Sequence, residues 1–431
     1  MKVKTIKILC GVLAMLAFTA CSSNIDDADG NHPQFWHVTL QASMGDETTR
    51  ALSEGTDNLI TASFTAGDVV KVLKSDGTEL CDLTAQSSGA STTLEGTISG
   101  SIAVNDVLTL RYRSATANYD GQVGTLAGIA ASQDYAEGTL TVKTTSPLEF
   151  TSNSVTLEAK QSITKFTFQD ASTNADISVK TFGIAATGLV QSIATNGDQT
   201  TGAVTGTLST PSTDVYVALR NNTVANQTYS FTVKDNDGNW YRGTKNAKLT
   251  NGKNYTATMT LTKLETLTKS SAVGDIGVVS GLPAIAISGN KAVALMNVGA
   301  LCPEAYGKYY TFANLSLAVS GGWYVPTQAE LNALAGITST WGTQNGVNGF
   351  TFTIGSNTLF FPAAGLDDGD NDPQDFRFVS TEGYYWSSTN HNETLAYALN
   401  LDNDPTFIIQ SVGWYKVDAL TVRPFYEFNN N

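Results

Sequence analysis

The sequence predicts a mainly β chain: two β-sandwich domains in tandem, over residues 51–146 and 147–262, then a mixed α+β domain over 271–431. Three observations predict it. Between about residues 34 and 262 the chain is a series of short runs rich in Thr, Val, Tyr and Phe, which suit a half-buried pleated surface. Turn signals such as Asp76-Gly77, Asn196-Gly197, Asp237-Gly238 and Asn251-Gly252 separate these runs. After Leu261 the chain changes character, and four of the six Trp fall in its last part: Trp323, Trp341, Trp386 and Trp414.

The elements follow in order. Trp36-His37-Val38-Thr39-Leu40-Gln41-Ala42-Ser43-Met44 alternates strictly. Trp36, Val38, Leu40, Ala42 and Met44 share one face, so this is a strand with one buried side. Asp68–Leu73, Val107–Tyr112, Ile163–Phe168, Val215–Leu219 and Tyr255–Leu261 read as further strands. Helical periodicity is nearly absent here. Some 230 residues of short strands suit two sandwiches better than one. Thr144-Thr145-Ser146-Pro147 breaks the pattern and places the boundary near Ser146. Residues 263–270 are polar and read as a linker. In the last domain Gln328–Leu334 is the best helix in the chain. Thr327 can N-cap it, and Glu330 stands three residues on, a capping-box spacing.

Composition narrows the function. Of 431 residues only 15% are charged, and 25 Lys and Arg face 39 Asp and Glu, a net charge of −14. So acidic a surface repels phosphate backbones, and no nucleic-acid partner is expected. Three His leave little room for a His-built metal site or triad. Lys2, Lys4 and Lys7 precede an apolar run from Ile8 to Ala20, the layout of a signal peptide over residues 1–20. No later apolar stretch reaches the length of a membrane span. Of the four Cys, Cys10 lies in the signal and Cys21 directly follows it, leaving Cys81 and Cys302 too far apart in sequence to suggest a disulfide framework.

Phe18-Thr19-Ala20-Cys21 resembles a bacterial lipobox, with Cys21 as the lipidated first residue of the mature chain. The acidic stretch Ser22–Asp27 resembles the tether of surface-exported outer-membrane lipoproteins. The plainer alternative is ordinary secretory cleavage beside an incidental Cys. The polar stretch Gly45–Ser53 carries a lone Arg50, the first basic residue after the signal and a good site for an Arg-specific protease. A cut between Arg50 and Ala51 would detach residues 21–50 with the preceding strand. If that strand then left, it would expose an apolar groove with unpaired backbone groups. The alternative is a plain first strand and loop.

Thr49-Arg50-Ala51 followed by Phe64–Val72, with Leu249–Leu261 as a closing strand, resembles the fimbrillin-like subunits of type V pili. The resemblance covers about residues 21–262. It implies two transthyretin-like sandwiches, an outer-membrane lipoprotein precursor, cleavage after Arg50, loss of the first strand, and polymerisation by strand exchange with other subunits at the cell surface. Membrane contact is then through the precursor's lipid alone.

Gly321–Leu331, Phe361–Gly365, Gly383–Thr389, Ala396–Leu401 and Leu420–Phe425 together resemble bacterial C-type-lectin-like domains of the major-paralogous-domain type. Trp323 and Trp386 are expected in its core, and Arg423 is expected to anchor a loop carboxylate or carbonyl. Exposed aromatics beside polar loops are candidate ligand contacts: Tyr384, Tyr385, Trp414 and Tyr415. The acidic loop with Asp367, Asp368, Asp370 and Asp372 offers oxygen ligands of the kind Ca²⁺ takes, without EF-hand spacing; a solvated turn is the alternative, and no other cofactor is implied. The same fold hosts formylglycine-generating enzymes, which need a reactive Cys pair. Cys302 alone argues against that, and no other catalytic motif appears. The expectation is a non-enzymatic pilus subunit, at the tip because a globular domain replaces a free C-terminal donor segment, with that domain binding glycan or protein. The alternative is a surface lipoprotein that keeps its first strand, as a pilus anchor or glycan receptor.

Overall fold

The computed structural model describes residues 35–45, 53–54, 60–61, 63–112, 114–223, 225–369, 375–403 and 409–428. The chain is mainly β, as expected, but its first domain is closed. Its strands are β1 (Phe35–Met44), β2 (Val69–Leu73), β3 (Glu79–Ala85), β4 (Ser91–Ser99), β5 (Val107–Tyr112), β6 (Ala136–Thr145) and β7 (Ser154–Ala159). They hydrogen-bond in the ring β6–β7–β1–β4–β3–β2–β5 and back to β6. This is a seven-stranded barrel, where an open two-sheet sandwich was expected. The closing contact is β5 on β6, from Val107↔Thr141 to Arg111↔Glu137. Side-chain alternation reports which face is buried, and it is silent on whether the edges meet. Gly138 helps the ring close. A Cβ there would lie 2.5 Å from the Thr156 carbonyl oxygen, so only glycine lets β7 cross so near to β6. The barrel takes in β7 and therefore reaches past Ser146 to Ala159.

The first strand has the predicted alternation. Trp36, Val38, Leu40 and Ala42 are buried, Met44 packs against the same core, and Phe35, His37, Thr39 and Gln41 are exposed. The core they enter holds Val70, Leu83, Leu94, Leu108, Leu110 and Leu157.

The second domain uses β8 (Ser162–Asp170), β9 (Val179–Ala185), β10 (Leu189–Ile193), β11 (Val204–Ser212), β12 (Asp214–Asn221), β13 (Gln227–Asp235), β14 (Trp240–Ala247) and β15 (Asn254–Lys263). Their order is β10–β12–β8–β15–β14–β13–β9–β11. The β15–β14 link consists of Tyr241↔Lys263 and Arg242↔Thr262 alone, so two half-sheets meet at a corner. Phe166, Phe168 and Phe231 pack between them, with ring centroids 5.4 to 5.9 Å apart. One helix that the pattern did not reveal, α1 (Leu126–Ser132), buries Ile129 in this core. The Thr125 side chain caps it by accepting from the Gly128 N–H. At seven residues it is too short to show periodicity.

The segment read as a linker is hydrogen-bonded into the third domain. Leu267 N–H donates to the Val278 carbonyl at 2.9 Å, and Val278 N–H donates to the Glu265 carbonyl at 2.7 Å. Trp240 of β14 buries its ring in the C-terminal core, and its indole N–H donates to the Gly281 carbonyl at 2.9 Å. That domain combines a five-stranded, a seven-stranded and a three-stranded sheet. The helix predicted from the capping box is present as α2 (Gln328–Ala335), with both capping hydrogen bonds made and Leu331 and Leu334 buried. Among the described residues, no helix is long and apolar enough to cross a membrane.

Leu40→Ala removes a fully buried side chain from the barrel and is expected to cost about 2–5 kcal/mol. Thr39→Ala, one residue away on the exposed face, is expected to change stability by less than about 0.5 kcal/mol. Urea denaturation of the uncleaved protein reads both.

Candidate functional site

The expected site is the seat of β1. It pairs antiparallel with β4 over nine residues, from Phe35↔Ser99 to Ser43↔Ser91. On its other edge it pairs parallel with β7, from Gln41↔Ser154 to Met44↔Leu157. Trp36 is the anchor at the far end: its indole N–H donates to the Thr145 carbonyl at 3.1 Å. Main-chain pairing and the buried residues Trp36, Val38, Leu40 and Ala42 together hold the strand. Burying each of the larger side chains contributes about 1.5–3 kcal/mol. The ring has no other strand between β4 and β7, so whatever fills this place closes the barrel. Cys21, Arg50 and Ala51 lie outside the described residues. In sequence, Arg50 falls between the end of β1 and the next described strand, Ser53–Glu54.

The candidate ligand aromatics divide. Tyr384 and Tyr385 are 2% and 0% exposed, so neither can offer a ring to solvent. They sit on successive positions of the strand Glu382–Asn390 and enter opposite cores. Tyr385 stacks edge-on to Phe361 at 4.8 Å and donates to the Pro362 carbonyl, and burial pushes its phenol up to about 12. Tyr384 is held by Glu382 and packs on Trp414 at 4.5 Å; burial, then the Glu382 carboxylate, raises its phenol pKa. Trp414 is half-buried. Only Tyr415 is exposed, at 61%. Two aromatics were missed: Phe376 and Phe378 are 47% and 44% exposed. Their signal in the sequence was the alternation Asp375-Phe376-Arg377-Phe378 beside the acidic loop.

Of the four candidate calcium ligands, Asp370 and Asp372 lie outside the described residues. Asp368 is ion-paired to Arg377, which also binds Asp375 at 2.9 Å. Among the described residues, no three His, Cys, Asp or Glu side chains come together as a metal site.

Arg423 is fully buried and acts as an anchor, but the carbonyls it holds belong to the strands Lys291–Ala294 and Asn357–Pro362 rather than to a loop. It donates to Asn297 Oδ1 at 2.8 Å and to the Ala294 and Phe360 carbonyls at 3.1 and 3.0 Å. Its guanidinium lies over Phe361 at 4.3 Å, and burial lowers its pKa to about 10. Trp323 and Trp386 are core residues, as expected. Burial, with the Asp82 charge, pushes the Cys81 thiol up to about 12. Burial, then Glu304, raises Cys302 well above its ordinary value. Both thiols stay protonated at neutral pH, which makes them poor nucleophiles.

A domain of unknown function, DUF8237, matches residues 338–425. No curated protein matches the chain. Among solved structures, a candidate cell adhesion protein from Bacteroides uniformis is 16% identical, covering 55% of this chain and 98% of its own, with a TM-score of 0.32. One from Bacteroides ovatus is 12% identical over 53% of this chain and 95% of its own, with a TM-score of 0.32. A fimbrial assembly protein from Parabacteroides distasonis is 12% identical over 52% and 90%, with a TM-score of 0.26. At such scores the likeness is distant, and the function has to be argued from the chain's own geometry. The DUF8237 match falls inside residues 271–431 and carries no functional description, and none of these similarities supports the lectin-like domain expected there.

Glu330 joins helix α2 to the neighbouring sheet. Burial alone would raise its pKa, but hydrogen bonds from Lys291, Tyr324 and Thr327 hold the carboxyl at about 2, below its ordinary 4.5. Its stabilising contribution is therefore complete above about pH 4.5 and lost as pH falls toward 2. Glu330→Gln is expected to cost about 1 kcal/mol at pH 7, and this difference is expected to shrink toward zero between pH 4.5 and 2. Thermal unfolding of both proteins across that range measures it.

Proposed function

We propose that this chain is an exported surface protein that serves as a pilus subunit, with cleavage after Arg50 freeing β1 from its seat. The observation that carries this reading is the position of β1. It is the first strand among the described residues, it is paired along both edges, and its buried face fills the barrel core. A single cut in the following segment turns it from a covalent part of the barrel into a bound peptide. Departure of that peptide leaves a slot of matching length, with unpaired backbone groups on β4 and β7 and pockets for alternate side chains. An extended segment of a neighbouring subunit can fill such a slot by strand addition.

The C-terminal domain is the adhesive head in this reading, with a glycan or protein as ligand and no catalytic role. Its packing on the second domain through Trp240 and residues 265–267 makes it a fixed extension of the fold, with no free donor segment between them. This packing supports a terminal place in the filament. A precursor lipid on Cys21 would supply membrane attachment before cleavage. A second reading is favoured by the closure of the barrel itself: with β1 in place, the free strand edge among its described residues is the three-residue strand Leu148–Phe150, too short to invite polymerisation. That reading is a surface lipoprotein, an anchor or receptor, that keeps its first strand.

Mass spectrometry of the polypeptide in purified filaments separates the two. An N-terminus at Ala51 is expected, and Arg50→Ala is expected to leave the strand attached and the protein outside the filaments. Filaments containing the chain with residues 36–44 still covalently joined would overturn the subunit reading.

A further inference from the structure

Between the second domain and the C-terminal domain runs an open groove. One stretch of it, about 520 Å³, lies along the second domain near Asn118 and Asp198. The other, about 570 Å³, passes between that domain and the C-terminal residues Tyr306, Tyr309 and Phe376. The two stretches share Asp120, Gln191 and Ser192, so they form one continuous channel. Each is within the usual size range of a ligand site.

The two walls differ in chemistry. On one side, Thr205 fixes Asp120 by donating to its Oδ1 from both backbone N–H and hydroxyl, at 2.8 and 2.7 Å. Gln191 is held by its amide N–H on the Ala203 carbonyl at 2.9 Å. Among the described residues, this leaves Asp120 Oδ2 and Gln191 Oε1 without hydrogen-bond partners on side chains already oriented, with Ser192 Oγ also unpartnered beside them. On the other side, the rings of Tyr309 and Phe376 lie 5.0 Å apart at 49°. The Tyr309 hydroxyl is committed to the Ala364 carbonyl at 2.5 Å, which leaves its ring as the recognition element. Phe376 is 47% exposed, a large apolar face beside oxygen acceptors.

We propose that this channel binds a neutral oligosaccharide, with sugar C–H faces on Phe376 and Tyr309 and sugar hydroxyls donating to Asp120, Gln191 and Ser192. The proposal rests on the adhesive reading above and gives it a ligand class and a location. Three features select that class. Oriented oxygen acceptors opposite aromatic faces suit a polyhydroxylated ring, which is apolar on its faces and polar at its rim. Among the described residues, no Lys, Arg or His lines either stretch, while Asp120 and Asp198 do, which disfavours anionic glycans. The channel runs on past one domain, which suits a chain of sugars more than a single small molecule.

The test uses the purified mature protein on an array of neutral, sialylated and sulfated oligosaccharides, then calorimetry with the strongest neutral binder. Binding to neutral members and none to their sialylated or sulfated counterparts is expected. Phe376→Ala and Ser192→Trp, the second blocking the shared stretch, are each expected to weaken binding at least tenfold with unchanged thermal unfolding. Tyr415→Ala, outside the groove, is expected to leave affinity within twofold. An array without neutral binders, a preference for anionic glycans, or groove variants that bind as wild type would each overturn the proposal. A blank array from protein that still enters filaments overturns the groove alone and leaves the subunit reading standing.

Discussion

The first domain depends on one strand being paired along both edges at once. β1 is antiparallel to β4 and parallel to β7, and no other strand bridges those two. Its nine-residue register with β4 is the long contact; its four-residue register with β7 is the short one that completes the ring. Backbone groups that would be orphaned on two neighbours are satisfied by a single segment. Trp36, Val38, Leu40 and Ala42 supply apolar burial to the same core from inside. The segment that supplies all this is also the first strand among the described residues.

The other two domains are tied together by different means. Trp240 leaves the second domain's own sheet and completes the core of the third, with its indole N–H on Gly281. Cys302 packs in return against Ala185 and Ala203, close enough that a Cβ at Gly183 would lie 2.7 Å from its own Cβ. Asn345 donates to Ser230 at 2.9 Å across the same junction. Buried aromatic, small-residue and polar contacts hold the two domains against each other, and the groove wall from Asp120 to Phe376 belongs to both. Its geometry depends on that junction staying closed. Arg423, buried on three oxygen acceptors, performs the equivalent task within the C-terminal domain by fastening Asn297, Ala294 and Phe360 to one cation.

Local patterns were the legible part of this chain. The strict alternation of Trp36–Met44, the capping box at Thr327 and Glu330, and the core positions of Trp323 and Trp386 all depend on neighbours a few residues apart or on strong burial preferences. Those interactions are written in the order of the residues. The closure of the barrel, the extension past Ser146 to Ala159, and the burial of Tyr384 and Tyr385 were not legible. Each depends on which strands lie beside one another, and period-two patterning is the same in a sandwich, a barrel and a sheet buried on both faces.

By itself, then, the sequence determined the strand content, the face that β1 buries, the one strong helix and the acidic character of the chain. Only the tertiary structure decided that β1 is the closing stave of a ring. It also decided that Tyr384 and Tyr385 face packed cores, and that Asp120, Gln191 and Ser192 meet Tyr309 and Phe376 across a domain junction. The physical reason is separation along the chain. Pairings and walls built from residues a hundred or more positions apart leave no periodic trace, because no local energy term couples them until the fold brings them together.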